Sequence, residues 1–292
     1  MPASFAARLC GYRSDGTPNM SDRSQVHSVA MGRALLANLG VPEGTPAPGT
    51  NRIGTLFDEA VTADLAGLLE QGAGHLTVVA QCAVYQFEQY AHLRAVEELS
   101  NAETSVPDRL RVLKSQVGAL SDLRRSHLQE CIEEILAAAT AEEQQRRLLL
   151  DSIGNESMLH LDVSIYRDLD TQAITGALKH LVAGLSAKWT LRTDRMQDPI
   201  SQGAKLAAVR RGRMPHFAAI TIEPRPYMLN LLARGSGGLD CVYHLDLPAL
   251  IQAVDEVCTD DGQRANRDEF YRLVDQRRIR DYDDLVAYLE TL

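Results

Sequence analysis

Apolar residues recur through the first half of the chain at three- and four-residue spacing, the period of a helix lying on a core. The first stretch carries Val29, Leu35, Leu36 and Leu39, opens at Ser21 or Ser24, and stops at Gly40. Residues 41–50, with three prolines and two glycines, read as a loop. A second stripe, Leu56, Phe57, Ala60, Val61, Leu65 and Leu68, predicts a helix over 54–69. Residues 75–80 predict a buried strand, and 84–99 a further helix. Ser105-Val-Pro-Asp108 offers a capping serine with an acid three residues on. Leu110, Leu113, Val117 and Leu120, then Leu128, Ile132, Ile135 and Leu136, continue at helical spacing, with 142–150 as an extension. Packing explains these helices, and one of their faces could serve subunit contacts.

From His160 the texture turns to β. Residues 161–166 alternate apolar and polar, 184–191 and 217–222 read as strands, and 241–245 as a short one after the Gly235-Ser-Gly-Gly238 turn. A helix runs from about Ile200 through Leu206 and Val209 to Gly212, and 248–257, 268–274 and 283–292 look helical. Strands embedded among helices imply an α/β fold (α+β-like mixed), a central mixed β-sheet flanked by helices. The expectation is one domain over 1–292, with 1–150 mainly helical and 151–292 the sheet core that carries the chemistry.

Composition narrows the function. At 292 residues, 45% hydrophobic and 24% charged, the chain has an ample core and no apolar run able to span a bilayer. The first ten residues lack a basic segment followed by a long apolar block, so no signal peptide is expected, and a cytoplasmic location is. The five cysteines are scattered, without a CxxC pair, and read as reduced thiols; the eight histidines show no zinc spacing. A net charge of −9 argues against a non-specific nucleic-acid coat protein. Yet residues 186–234 hold nine Lys/Arg against three Asp/Glu. A basic patch in an acidic body suits a protein that needs a specific site before it holds DNA tightly.

Inside that window lies Ser186-Ala-Lys-Trp-Thr-Leu-Arg-Thr-Asp-Arg195. Read as an extended segment, it sends Lys188, Thr190, Arg192 and Asp194 to one edge, and Trp189 and Leu191 to the core. The lysine suits a scissile phosphate. Arginine forks onto guanine O6 and N7, and aspartate accepts from cytosine N4. Metal-dependent phosphodiester cleavage also needs carboxylates. Asp162 sits mid-strand in an apolar context, costly unless paired or bound to metal; Asp151, Asp168 and Asp170 compete for that role. Gly235-Ser-Gly-Gly238 reads as a hairpin turn, since no Walker lysine follows, and His216 beside Pro215 reads as structural.

These words resemble the type II restriction endonucleases of the NgoMIV type, within the PD-(D/E)xK nucleases. The resemblance is strongest in Ser186–Arg195. It continues through Met214-Pro-His-Phe-Ala-Ala-Ile-Thr-Ile-Glu-Pro224, Leu239-Asp-Cys-Val-Tyr-His244, Asp22-Arg-Ser-Gln-Val-His-Ser-Val29 and Gly54-Thr-Leu-Phe-Asp-Glu59. It implies a PD-(D/E)xK restriction-endonuclease-like core and Mg²⁺-dependent cleavage of double-stranded DNA at a palindrome with a CCGG core. Four-base 5′ overhangs, homodimers or homotetramers, and a cognate DNA methyltransferase in the same system follow from the same resemblance. A palindrome presents two equivalent half-sites to a two-fold dimer.

Carried over position by position, Lys188 is the catalytic lysine, and Ser186 stands where related nucleases keep an acid. Asp162 is the metal-binding aspartate. Asp58, or its neighbour Glu59, is the helical acid that supports the site. Arg192, Asp194 and Arg195 match the base readers, and Asn51 resembles a minor-groove contact. Two positions depart from the pattern. The glutamate expected fourteen residues after the lysine is Gln202, so that either Asp198 compensates as a metal ligand, or one metal does the work, or cleavage is slow. The arginine expected after Pro226 is replaced by Tyr227 and Met228, leaving Arg225 as a substitute reader and GCCGGC as the first-choice hexamer. The rival reading is a CCGG-specific binding protein weakened or inactivated by Gln202. A third is a repair or recombination nuclease that reads DNA structure and has no use for the Arg192–Asp194–Arg195 cluster.

Overall fold

The computed structural model describes residues 3–49, 52–101, 105–117, 124–153, 159–169, 178–234 and 238–292. Helices α1 (Ala6–Leu9), α2 (Val26–Asn38) and α3 (Ile53–Gly72) precede strand β1 (Thr77–Ala83). Two 3₁₀ turns, Val84–Gln86 and Glu88–Leu93, lead to α4 (Arg94–Asn101), α5 (Ser105–Val117) and α6 (Arg124–Ile153). Then come β2 (His160–Leu169), β3 (Leu178–Ala187), α7 (Thr193–Val209), β4 (His216–Thr221), α8 (Pro226–Ala233) and β5 (Cys241–His244). Helices α9 (Leu247–Val257) and α10 (Asp261–Asp275), strand β6 (Ile279–Asp281) and α11 (Tyr282–Glu290) complete the chain. The residues fall into two compact units, 1–89 with 160–292, and 90–159.

The first unit is built on a mixed sheet of six strands lying side by side in chain order. β1, β2 and β3 pair antiparallel; β3 through β6 run parallel. Helices α7 to α10 make the crossovers that parallel pairing demands. The parallel centre is the driest part. Phe217 to Ile220 and Cys241 to Tyr243 are fully buried, which is why both segments read as unbroken apolar runs.

Elsewhere the periods mislead. The strand expected to be buried at 75–80 is β1, an edge strand exposed or half-buried from Thr77 to Gln81, with only Cys82 and Ala83 buried. The alternation expected in β2 gives way to continuous burial from Val163 to Tyr166, and a register shift falls between Ile165 and Tyr166. The helix expected at 84–99 starts only at Arg94, because buried Gln89 turns inward. Its amide donates to Leu181 O at 2.8 Å and accepts from Leu181 N at 3.0 Å, standing in for a strand neighbour. Neither Ser21 nor Ser24 caps α2: Ser21 is buried, and the Ser24 hydroxyl donates to Asp22 Oδ1 at 2.7 Å. Gly40, at φ +71°, does end that helix in the left-handed conformation a glycine permits. Strand β6, three residues long, is too short to show a period.

The second unit comprises α4, α5 and α6. Lys114 and Glu133 join α5 to α6 at 2.6 Å, and Glu143 receives both Arg146 and Arg147. Val117 and Ile132 of the predicted stripe are buried, while Leu113, Leu128 and Ile135 are exposed; Leu120 lies outside the described residues. No helix among the described residues is long and apolar enough to cross a membrane.

Candidate active site

Antiparallel pairing of β2 with β3 sets Val163 opposite Leu185. One step further along, Asp162 faces the end of β3. Its Oδ2 accepts from Lys188 Nζ at 2.9 Å, from the Ala187 amide at 2.9 Å and from the Ser186 hydroxyl at 3.3 Å. Ser186 is fully buried, so this bond satisfies its only side-chain polar atom. The lysine and aspartate side chains are 20% and 15% exposed, half-withdrawn from water yet open to an incoming phosphate. Regular pairing of β3 ends at Ala187, and Lys188 N reaches Ile220 O at 2.9 Å across the top of β4.

Helix α3 brings the third charged group. Its buried stripe is Phe57, Val61, Leu65 and Leu69, one residue per turn, whereas the expected Leu68 is exposed. Phe57 packs edge-on against Trp189 with ring centroids 5.5 Å apart. An edge-to-face pair adds about 0.5–1.5 kcal/mol to the burial of both rings. That contact locks Asp58, next to Phe57, beside Lys188, next to Trp189. Burial, then the charge of Asp162, raises the Asp58 carboxyl to about 6. Gln81 on β1 lies between the two acids, donating to Asp58 Oδ2 at 3.1 Å and to Asp162 Oδ1 at 3.5 Å. Glu59 is exposed and stands outside this cleft, so Asp58 is the helical acid that meets Asp162.

Beyond Lys188 the expected alternation holds as far as Arg192. Trp189 and Leu191 are buried, and Arg192 is exposed in extended conformation (φ −124°, ψ 160°). It then ends, because α7 begins at Thr193 and not near Ile200. Pro199, the residue type that ordinarily marks a helix's first turn, sits inside this helix. Asp194 and Arg195 therefore follow Arg192 on the first helical turn, not along one strand edge; their side chains lie outside what is described.

A buried ion pair fixes this segment. Glu223 accepts from Leu191 N at 2.7 Å and from Arg225 Nε at 2.5 Å, and Arg225 Nη2 donates to Leu191 O at 2.6 Å. Both backbone polar groups of Leu191 thus end on one Glu–Arg pair. Burial alone would lower the Arg225 pKa, but the hydrogen bonds and charge of Glu223 overcome it and hold the guanidinium above its usual value. Arg225 Nη1 meets the Tyr227 hydroxyl at 3.2 Å and lies 3.8 Å from Asp22. The expected substitute reader is thereby a buried strut, 6% exposed, with every guanidinium nitrogen engaged by protein.

Asp58, Asp162, Lys188, Arg192 and Arg225 line one open cleft of about 960 Å³. Among the described residues its walls hold six cationic side chains against four aspartates. Three of the cations, Arg13, Arg23 and Arg52, escaped the sequence reading, as did Gln81 and Glu223. Arg13 donates to the carbonyls of Pro18 and Asn19 at 2.6 Å and shapes the wall itself. Burial, then the nearby charge of Arg23 and further that of Arg192, lowers its pKa. Cations crowded this closely call for an anion. Exposed Asp198 also lines the cleft. Gln202 does not; its amide donates to His160 O at 3.3 Å, two residues from Asp162, and its Oε1 is buried without a partner among the described residues. Asp168 is exposed at the far end of β2, opposite Lys179. Asn51 and Asp170 lie outside the described residues, as does the side chain of Asp151.

The donor set fits a hard divalent cation. Two carboxylates share one amide hydrogen-bond donor, and one of them is held up in pKa by burial and then by the other's charge. Mg²⁺ takes one or two carboxylates and keeps waters. Among the described residues no three His, Cys, Asp or Glu gather as a zinc cage would require.

The model of the NgoMIV restriction enzyme family matches residues 138–290. The type II restriction enzyme NgoMIV of Neisseria gonorrhoeae is 31% identical over 202 residues, covering 69% of this chain. The match spans 62% of that enzyme's length. A solved complex of the restriction endonuclease PspGI with substrate DNA covers 69% of this chain and 88% of its own. At 14% identity and a TM-score of 0.25, that likeness is too slight to build on.

Proposed function

The chain belongs to the NgoMIV restriction enzyme family, and on that premise we propose that it is a type II restriction endonuclease. It cuts double-stranded DNA at a palindrome with a CCGG core, G^CCGGC as the first choice, and leaves four-base 5′ overhangs. The observation that carries this reading is the Lys188–Asp162 pair at 2.9 Å in a cleft whose walls also hold Asp58 and Arg192.

Asp162 and Asp58 would hold Mg²⁺, with Asp198 at the cleft wall and Gln202 on its flank in place of a further acid. Bound there, the cation supplies Lewis-acid polarisation of the scissile phosphate and a water of lowered pKa. Lys188 stabilises the charge that grows on the phosphate oxygens, the largest single contribution such sites make. Ser186 and the Ala187 amide keep Asp162 Oδ2 aimed at that point. Arg192, with Asp194 and Arg195 on the following turn, reads the G·C pairs of the core from the major groove. Arg23 and Arg52 meet the backbone phosphates. Asn51 is a minor-groove contact, and Arg225 shapes reading of the outer pair by holding Leu191. A homodimer or homotetramer matches the two-fold symmetry of the site, and a methyltransferase of the same system protects host DNA.

Digestion of a plasmid carrying GCCGGC and other CCGG-containing hexamers in Mg²⁺, with sequenced ends, tests this. Discrete fragments with CCGG overhangs are expected. Specific retention of the same DNA in Ca²⁺ without cutting in Mg²⁺ would point to Gln202 and to a binding protein on the same scaffold.

A further inference from the structure

Gln81 occupies a position that its own side chain does not explain. On β1, Ala80 pairs with Val163 and Cys82 with Leu161, so Gln81 stands directly across the ladder from Asp162. Its backbone φ is +48°, in the left-handed region that a glutamine enters only when its surroundings impose it. Among the described residues, just one other non-glycine, Arg277, has positive φ. The residue is exposed, so no buried apolar contact offsets the unfavourable backbone. Such outliers concentrate at functional sites.

The twist delivers the amide to one place. Nε2 lies 3.1 Å from Asp58 Oδ2 and 3.5 Å from Asp162 Oδ1, spanning the carboxylates of two different elements. Lys188, Ala187 and Ser186 all bind the other oxygen of Asp162. Gln81 thus covers the one Asp162 oxygen left for a cation, Oδ1, and with it one oxygen of Asp58. The orientation of the amide follows from charge, since the opposite flip would set its oxygen against two carboxylates.

We propose that Gln81 is a placeholder for the divalent cation: its N–H group holds the Asp58 and Asp162 carboxylates together in the metal-free enzyme and competes with the metal for them. The proposal rests on the metal-dependent reading above. Gln81 is a positioning residue in this scheme. It keeps the pair assembled before DNA and cation arrive, and it weakens the cation's hold.

Calorimetric titration of the full chain with Mn²⁺, without DNA, tests it on wild type and Gln81→Met, which keeps the length and loses the donor. The variant is expected to bind Mn²⁺ roughly three- to ten-fold tighter, because entry no longer breaks the hydrogen bond of a solvent-exposed amide, whose net worth is that of an ordinary hydrogen bond. The gain in Tm on adding Mn²⁺ should grow correspondingly. Unchanged affinity overturns the proposal, and so does weaker affinity, which would make the amide oxygen a ligand. Should Gln81→Met fail to fold, Gln81→Gly carries the same expectation, since glycine accepts this φ freely. If wild type binds no Mn²⁺ at all, the metal-dependent reading itself falls; wild-type binding with an unresponsive variant overturns Gln81's role alone.

Discussion

Replacing Glu223 by glutamine tests whether a buried ion pair sets the geometry of DNA reading. Glu223 is 0% exposed and Arg225 6%, so the arginine's charge has no water to fall back on. Removing one partner of a buried pair costs about 3–5 kcal/mol, because the other is left uncompensated. Glutamine keeps an acceptor oxygen, which places the loss near the lower end, about 3 kcal/mol. At about 2–4 °C per kcal/mol for a chain of this size, the Tm should fall by roughly 6–12 °C in a thermal melt followed by circular dichroism. A second readout separates positioning from bulk stability. Leu191 N and O both end on this pair, so loosening it frees the backbone immediately before Arg192. At a temperature where the variant is fully folded, its preference for the cognate hexamer over single-mismatch sites should drop. The double variant Glu223→Met with Arg225→Met buries no unpaired charge but leaves Leu191 N and O without these partners, so it should regain only part of the stability while discrimination stays impaired. A Tm within about 2 °C of wild type, with discrimination intact, would refute the reasoning.

Three further outcomes follow from the same geometry. Lys188→Ala should lower cutting by at least roughly 10²–10³-fold, the loss typical when one charge-stabilising donor is removed, while binding in Ca²⁺ measured by gel shift survives; retained turnover would move the active site elsewhere. Arg192→Ala should lose roughly 1–3 kcal/mol of discrimination at one G·C pair in competition assays, and an equal loss on every sequence would make it a phosphate contact instead. Asp58, raised to about 6, holds its proton more tightly folded than unfolded, so its contribution to stability is full below about pH 4 and is lost as pH rises through 6. In chelator, Asp58→Asn should therefore gain on wild type in Tm between pH 5 and pH 7.5; a difference that stays constant with pH would show that Asp58 is not strained in the metal-free protein.

The centre of the sheet was legible because parallel strands covered on both faces must be apolar throughout, as Phe217–Ile220 and Cys241–Tyr243 are. Asp162 and Lys188 were legible for a related reason: a charge in an apolar run has to be paired. That argument applies with equal force to Glu223, at the end of Phe-Ala-Ala-Ile-Thr-Ile. It went unused there because the strand was expected to end at Ile222, one residue short of the acid. The α7 boundary failed differently. Pro199 is a helix-start signal by local rules, yet the helix starts at Thr193, since Leu191, pinned by Glu223 and Arg225, fixes where the chain turns. Gln81 had no signal, because a neutral amide on an edge strand carries no pattern and a positive φ is not written in residue type.

Gln81 and Glu223 were missed because each answers at least one group brought by a distant part of the chain. Gln81 answers Asp58 and Asp162, and Glu223 answers Arg225 and the Leu191 amide. Arg13 shapes the wall on which Arg23 and Arg192 crowd together. The charge of Asp162 works against Asp58, and those of Arg23 and Arg192 against Arg13, so both clusters carry a repulsion in the free protein; the apolar lock of Phe57 on Trp189 helps to keep the carboxylates assembled. A ligand that binds only the folded state stabilises it in proportion to its affinity. A cation on the carboxylates and a polyanion on the arginines would each relieve a repulsion already built into the fold, so the cleft is electrostatically prepared for both at once.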